Sequence, residues 1–310
     1  MCPLIVIAGP TGSGKSELAL RVAERFHGEI VNCDSLQVYR GFDVGTAKLT
    51  VEERRGIAHH LIDLLDPGEL FTAGEYARIG RSVLREIAER GRVPVIAGGT
   101  GFYLRALLEG LSPGPTRDER LRARLLAREQ RRTGSLHRIL SRLDREAAER
   151  IHPNDAHKTL RALEMRLLRA APSTSQQEPE KLQGFRVWKI GLNPPREQLY
   201  QRLNLRLERM FGQGLEEEVR GLLARGTSPQ AKPFESLGYK ETLLWLRGEL
   251  TREKAIEAAQ IATRQYAKRQ LTWFRREADM HWFDGFGDGP GVFGLVCSFL
   301  ESKNFGIEQS

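Results

Sequence analysis

The sequence predicts an α/β fold: an open parallel sheet with flanking helices, interrupted once by a helical insertion. Three observations carry this. Short, continuously apolar runs alternate with helical periodicities through the N-terminal third. The first of these runs passes directly into Gly9-Pro10-Thr11-Gly12-Ser13-Gly14-Lys15-Ser16, which fits the phosphate-binding pattern G-x-x-x-x-G-K-[ST]. From about Ser112 the chain becomes Arg-rich and helical, and strand-like sequence returns only at Phe185.

Leu4-Ile5-Val6-Ile7-Ala8 is a short apolar run bounded by Gly9-Pro10, as a buried parallel strand requires. It follows Met1 with no basic leader and no cleavage site, so it reads as a first strand and not as a signal peptide. Ser16 to His27 has apolar residues at helical spacing (Leu18, Leu20, Val22, Ala23, Phe26), and Gly28 stops the pattern. Glu29 to Cys33 is a second strand, residues 75–90 an amphipathic helix with Gly91 beyond it, and Val93 to Ala97 a third strand left through Gly98-Gly99. Strand, helix, strand, helix, strand is the order of a parallel sheet with crossover helices. Residues 117–132 and 135–150 are Arg-rich helical patterns, His152-Pro153-Asn154-Asp155 is a turn with N-cap candidates, and residues 156–170 continue as helix. A polar, Pro-containing linker over 171–183 follows. Phe185 to Leu192 is a strand, residues 195–225, 239–247 and 253–278 are helical, and His281 to Phe283 is a last strand before a Gly-rich tail from Gly285.

With 310 residues, 40% of them hydrophobic and 28% charged, the chain can bury a proper core under a solvated surface. No apolar run approaches the roughly 18–20 residues of a membrane span. Cys2, Cys33 and Cys297 are spaced for neither a zinc site nor a disulfide framework, so a reducing cytoplasm is expected. The net charge of +8 is unevenly placed: residues 117–169 hold fourteen Arg and one Lys against eight acidic residues. A basic block of this kind favours a polyanionic partner, nucleic acid first.

The loop at 9–16 is the strongest local signal. Its glycines let backbone N–H groups turn toward phosphate oxygens, Lys15 adds a point charge, the Ser16 hydroxyl is placed to ligate Mg²⁺, and a helix N-terminus follows. A reader for a nucleoside is missing. Gly98 and Gly99 stand where a motor ATPase places a metal-binding Asp, and no Asn-Lys-x-Asp stretch reads guanine. A diphosphate without a nucleoside therefore becomes a candidate ligand. Asp34 follows the second strand, so it faces the ligand crevice of a doubly wound sheet. Position alone leaves it two roles, a general base or an ordinary turn residue. Arg264, Lys268 and Arg275 lie along one face of the last long helix, with Arg269 and Trp273 on others. That face is either a groove for RNA backbone or diphosphate, or a plain solvated surface.

Together these motifs resemble the bacterial-type tRNA dimethylallyltransferases, also called tRNA isopentenyltransferases. The resemblance rests on the loop at 9–16, Asp-Ser-Leu-Gln-Val-Tyr at 34–39, Asp-Val-Gly-Thr-Ala-Lys at 43–48, and His59-His60-Leu61. It continues through Gly-Gly-Thr-Gly-Phe-Tyr-Leu at 98–104, Asn154-Asp155 with Arg161-Ala-Leu-Glu164, Leu-Gly-Tyr-Lys-Glu at 237–241, and Thr-Arg-Gln-Tyr-Ala-Lys-Arg-Gln-Leu-Thr-Trp-Phe-Arg at 263–275. The blocks run in order from about residue 5 to 283, leaving only the tail uncovered.

The resemblance implies a P-loop NTPase-like core over 1–111 and 185–310, with an Arg-rich insertion over 112–184 that contacts tRNA. It implies transfer of the dimethylallyl group from dimethylallyl diphosphate to N6 of the adenosine just 3′ of the anticodon, at position 37. Gly9, Pro10, Thr11, Gly12, Ser13, Gly14, Lys15, Ser16 and Arg206 would hold the diphosphate, with Mg²⁺ at Ser16 and Thr11 near the bridging oxygen. Asp34 would bind the adenine amino group and act as general base. Ser35, Leu36, Gln37 and Thr100 would line the channel for the base. Further tRNA contacts are implied for Arg122, for His157, Lys158, Thr159, Leu160 and Arg161, and for Glu235, Ser236, Leu237, Gly238, Tyr239 and Lys240. The last implied segment is Lys268, Arg269, Gln270, Leu271, Thr272, Trp273, Phe274 and Arg275. The partner would be the anticodon stem-loop of a tRNA, with no membrane involved and a monomer as the default state. Two departures are visible: Lys158 replaces a usual Arg and loses its planar fork, and Leu237 replaces a usual Ile. No Cys/His finger follows the core, which favours a bacterial or organellar origin.

Three other readings compete with this one. A small-molecule kinase would use the loop but leave the basic insertion unexplained. An isopentenyltransferase acting on free adenine nucleotides would need no long anion track. A non-enzymatic RNA-binding protein would not need Lys15, Ser16 and Asp34 intact.

Overall fold

The computed structural model describes residues 1–111, 114–115, 118–168 and 179–303. The chain separates into two compact units, one of Met1–Gly110 with Lys181–Ser310, the other of Leu111–Glu180. Most of the expected linker over 171–183, and the end of the helix expected over 156–170, fall on residues 169–178, outside the described residues.

The larger unit is built on β1 (Cys2–Ala8), β2 (Gly28–Cys33), β3 (His59–His60), β4 (Val93–Gly98), β5 (Phe185–Asn193) and β6 (Met280–Asp284). They form one six-stranded sheet in the order β3-β2-β4-β1-β5-β6, and every pairing is parallel. β1 is central, and its residues from Leu4 to Ala8 are all buried, which explains its unbroken apolar run. Register then decides where the site lies. Ala8 pairs with Gly98, and Gly98 with Cys33, so the three strands end in one row. The next residues of each, Gly9, Gly99 and Asp34, leave the sheet side by side at its carboxyl edge, where open α/β sheets bind ligands. The row is tight: a Cβ on Gly98 would run into the backbone of Cys33.

α1 (Lys15–Arg25) connects β1 to β2, α2 (Ala73–Glu89) connects β3 to β4, and α3 (Gly101–Glu109) leaves β4. α2 starts at a reciprocal capping box between Thr72 and Glu75. The smaller unit holds α4 (Glu119–Arg131), α5 (Ser135–Leu143), α6 (Arg145–Arg150) and α7 (Ala156–Leu167). After β5 come α8 (Arg196–Gly212), α9 (Leu215–Ala224), α10 (Tyr239–Leu246) and α11 (Arg252–Phe274), and after β6 comes α12 (Val292–Ser302). One sheet face packs Ile5 and Ile7 against α1 and α12, and the other packs Leu4 and Val6 against α2 and α3. A third cluster joins Val38, Tyr39 and Phe42 to α8, α9, α10 and α11. Among the described residues, no helix is long and apolar enough to cross a membrane.

Several elements differ from expectation. The helix over 135–150 breaks at Asp144, whose carboxylate accepts from Ala147 N and caps α6. The helix over 195–225 breaks at Gly214, whose φ of 106° opens a turn between α8 and α9. The helix over 253–278 ends at Phe274. β3 and α3 carried too little pattern to be seen. The tail holds α12, whose Val292, Val296 and Leu300 are fully covered.

In the smaller unit, Leu125, Leu136, Leu140, Leu160 and Leu163 form the core. Glu164, with none of its surface exposed, accepts from Arg122 Nε and Nη2 at 2.6 and 2.8 Å. Arg161 Nη2 donates to Pro115 O at 3.2 Å.

Two stability measurements follow from these contacts. Gly98→Ala should lower the urea-unfolding free energy of the protein by about 1–3 kcal/mol, the usual cost of overpacking against a part that cannot yield. Glu164→Ala, which leaves a charged Arg122 without its partner, should cost the smaller unit about 3–5 kcal/mol. Proteolysis confined to residues within 111–180 would register that loss.

Candidate active site

The phosphate-binding loop has the backbone its sequence demands. Gly9, Gly12 and Gly14 all take positive φ, and Gly14 caps the start of α1. Lys15 Nζ donates to Pro10 O at 2.7 Å, so the side chain folds back across the loop. Burial lowers the Lys15 ammonium to about 8; the Asp34 carboxylate opposes this and the Arg206 guanidinium adds to it. Ser16 is exposed at the first turn of α1.

Asp34 is held by its own neighbourhood. Its Oδ1 accepts from Leu36 N at 2.9 Å, and its backbone N donates to Asn32 Oδ1 at 3.2 Å. The other carboxylate oxygen makes no hydrogen bond among the described residues. Thr100 braces the same turn: its N donates to Cys33 O at 3.1 Å and its Oγ1 accepts from Ser35 N at 3.1 Å. Burial pushes the Cys33 thiol up to about 12, so it stays protonated beside Asp34. Burial, then the Asp34 charge, holds the Tyr266 phenol well above its ordinary value. Burial lowers Arg206, with Asp34 opposing and Arg202 reinforcing the shift.

These groups open into one cavity of about 670 Å³, entirely within the larger unit. Thr11, Gly12, Gly14, Lys15, Ser16 and Arg206 line one part of it. Asp34, Ser35, Leu36 and Gln37 line another, with Glu235, Ser236 and Leu237. α11 contributes Arg269 and Gln270. A second hollow of about 450 Å³ lies along α3 and α11, lined by Arg105, Lys268, Thr272 and Trp273, with the Arg105 guanidinium 4.5 Å above the Trp273 ring. Arg269 faces both.

Other residues named from the sequence sit elsewhere. Tyr239 and Gly238 are buried, and the Tyr239 hydroxyl bonds Glu218, while Lys240 is exposed. Phe274 is core and Leu271 half-buried, and Arg275 donates to Asn193 Oδ1 at 3.4 Å. In the smaller unit His157 and Lys158 are exposed, whereas Thr159 and Leu160 are buried. Arg122 and Arg161 are engaged with Glu164. Of the charged stripe on α11, Arg264 is tied to Asn204 Oδ1 at 2.6 Å, and Arg269, off that stripe, is the residue that reaches the cavity. Sequence reasoning missed Arg202, Tyr266 and Asp288, which also line it. Arg202 stands four residues before Arg206, which was a usable signal; Asp288 lies in a glycine-rich tail that carried none.

Oxygen donors near the loop suit a hard cation such as Mg²⁺: Ser16 and Asp34 line the same cavity. Among the described residues no group of three or more His, Cys, Asp or Glu could hold a metal by itself. An ion here would take its remaining ligands from substrate oxygens and water, as Mg²⁺ commonly does.

The family model described as IPP transferase matches residues 37–277. A tRNA dimethylallyltransferase of Solibacter usitatus is 60% identical over 292 residues, 94% of this chain and 95% of that protein. The crystal structure of a tRNA isopentenylpyrophosphate transferase from Bacillus halodurans is 38% identical with a TM-score of 0.72, covering 98% of this chain and 99% of that one. A eukaryotic dimethylallyltransferase solved acting on tRNA is 27% identical with a TM-score of 0.78, covering 98% and 79%.

The depressed Lys15 ammonium gives a pH test. Below about 8 it is charged in the empty site, and above that it loses its proton. Affinity for inorganic diphosphate should therefore fall as pH rises through 8, and Lys15→Met should bind weakly with that pH dependence removed. Isothermal titration calorimetry between pH 7 and 9 reads both.

Proposed function

The chain belongs to the IPP transferase family, and from that premise we propose that Asp34 and the phosphate-binding loop together move a dimethylallyl group from dimethylallyl diphosphate to N6 of the adenosine beside the anticodon, at position 37. One observation carries the assignment of roles: Lys15 and Ser16 share a single cavity with Asp34. Diphosphate bound on the loop therefore shares a chamber with a carboxylate able to take a proton.

The reaction follows from that arrangement. N6 attacks C1 of the allyl group, and the C1–O bond to the diphosphate breaks with its electron pair leaving on oxygen. Lys15, the loop amides and Arg206 stabilise the charge gathered there. Mg²⁺ near Ser16 would add Lewis-acid stabilisation of the same oxygens. Asp34 accepts the N6 proton through the oxygen that its own turn leaves free. Thr11, which also lines the cavity, would sit near the bridging oxygen. Leu36, Leu203, Leu207 and Met210 supply apolar wall for the prenyl chain.

The acceptor base must leave the anticodon-loop stack to reach Asp34. Ser35, Gln37, Ser236 and Leu237 would receive it, with Arg269 on the approach. RNA binding of this kind is mostly phosphate contact. Exposed Arg124, Arg128 and Arg131 on α4, with Arg132 just beyond it, suit that task, and Lys268 and Thr272 on α11 suit it too. The buried Thr159, Leu160, Tyr239 and Phe274 would act by holding contact segments in place. The setting is the cytoplasm, where the acceptor is found.

The test is transfer of label from dimethylallyl diphosphate to unmodified tRNA with Mg²⁺, beside AMP as acceptor. Label should enter tRNA and not AMP. Asp34→Asn should lower the rate by about 10²–10⁴-fold, the range for loss of a general base, while keeping diphosphate affinity. Label in AMP alone would move the substrate class to free nucleotides, and a full rate in the variant would remove Asp34 from the chemistry.

A further inference from the structure

The glycine-rich segment after β6 packs directly onto the phosphate-binding loop. Gly287 N donates to Ser13 O at 2.8 Å. A Cβ on Gly14 would come within 2.5 Å of Asp288 Oδ1 and 2.6 Å of Asp288 N. Only a glycine at 14 lets this segment lie so close. The Asp288 carboxylate then reaches across to α8 and takes both ends of the Arg202 guanidinium, with Nη1 to Oδ1 at 2.9 Å. Arg202 also covers the Phe286 ring, 4.9 Å from its centroid. Arg202 is one helical turn before Arg206, so both guanidinium groups leave the same face of α8. Asp288, Arg202, Arg206, Lys15 and Ser16 line one cavity.

We propose that Arg202 is a further diphosphate-binding residue and that Asp288 is its built-in counter-anion, holding it beside the loop until the substrate takes it. This rests on the reading of the loop as a diphosphate cradle. Three cations around the loop repel one another, and Asp288 supplies a negative charge in their midst. Pairing keeps the long Arg202 side chain in one place and so removes part of the entropy cost of recruiting it. The pair is also weak enough to give way. Its members are 41% and 30% exposed, and pairs of this kind contribute little in water. A multiply charged diphosphate offers the same planar fork a stronger partner. On release of product, Asp288 takes Arg202 back, which helps the diphosphate leave.

Calorimetric titration of inorganic diphosphate with Mg²⁺ into the full-length protein tests this. Asp288→Asn removes the competitor without changing shape, and should tighten binding by about three- to five-fold, the scale of one partly exposed ion pair. Arg202→Gln should weaken it by about ten-fold, the scale of one charged hydrogen-bonded contact. In prenyl transfer, Asp288→Asn should slow steady turnover more than the first turnover, because product lingers. Equal or weaker diphosphate binding by Asp288→Asn would overturn the proposal, and a lowered thermal midpoint beside it would mark Asp288 as a structural strap. Unchanged binding by Arg202→Gln would overturn it as well. Lys15→Met separates the two levels. If it keeps its diphosphate affinity, the cradle reading itself fails; if it loses it while the other two variants match wild type, only the role of Asp288 and Arg202 fails.

Discussion

A single buried amide sets the distances on which the site depends. Gln270 Oε1 accepts from Thr11 N at 2.7 Å, and its Nε2 donates to Gly99 O at 2.9 Å. One side chain from α11 thus ties the loop after β1 to the end of β4. The pairing is demanding because a buried N–H or carbonyl left alone costs about 1–3 kcal/mol. With Gln270 fixed, the preceding turn of α11 brings Tyr266 and Arg269 to the cavity. α11 then positions α8 through Ala267 against Leu199 and Leu203, and α8 carries Arg202 and Arg206. The cationic side of the cavity is therefore set by a chain of contacts that begins at one amide.

The register of the sheet does the complementary work for the other side. Because Ala8, Gly98 and Cys33 end in one row, Asp34 emerges next to the loop without help from any long-range side chain. Asn32 and Thr100 then hold the backbone of its turn, and Leu36 N holds its carboxylate. The proposed base and the cationic side of the proposed anion cradle are held by different means, strand register for the first and packing of helices for the second. Movement of the helical side would change access to the cavity while leaving Asp34 where it is.

These two means differ in how far they can be read from sequence. β1, β2 and β4 announce themselves because a strand buried on both faces needs an unbroken apolar run. The loop does so because only glycine takes its positive φ at no cost. Asp34 is legible from its place after β2. The helical side is less so. Gln270 looks like any polar residue of a long charged helix until the fold brings it to Thr11, over a separation of 259 residues. Arg264 on the stripe of α11 and Arg269 off it are the same residue type, and only packing decides that the first is tied to Asn204 and the second reaches the cavity. Asp144 and Gly214 break helices that periodicity alone would continue, because a cap and a positive φ are local events within an unchanged apolar pattern. Asp288 lies in a Gly-rich stretch whose composition says only that the backbone turns. The IPP transferase resemblance supplied roles where geometry was silent, yet it too left Arg202 and Asp288 aside.

The charge pattern of the empty cavity bears on selectivity. Lys15, Arg202 and Arg206 stand close enough that burial and mutual repulsion depress Lys15 and Arg206 together. An arrangement of this kind is unfavourable until an anion enters, and a neutral prenyl alcohol would leave it unrelieved. Binding energy is then available only to the form of the prenyl donor that carries its leaving group. Asp34 lines the same cavity, and Lys15 and Arg206 both register its negative charge. In the proposed reaction negative charge builds on the departing diphosphate while Asp34 gains a proton and loses its own. The cations are thus released from one anion as the demand of the other grows.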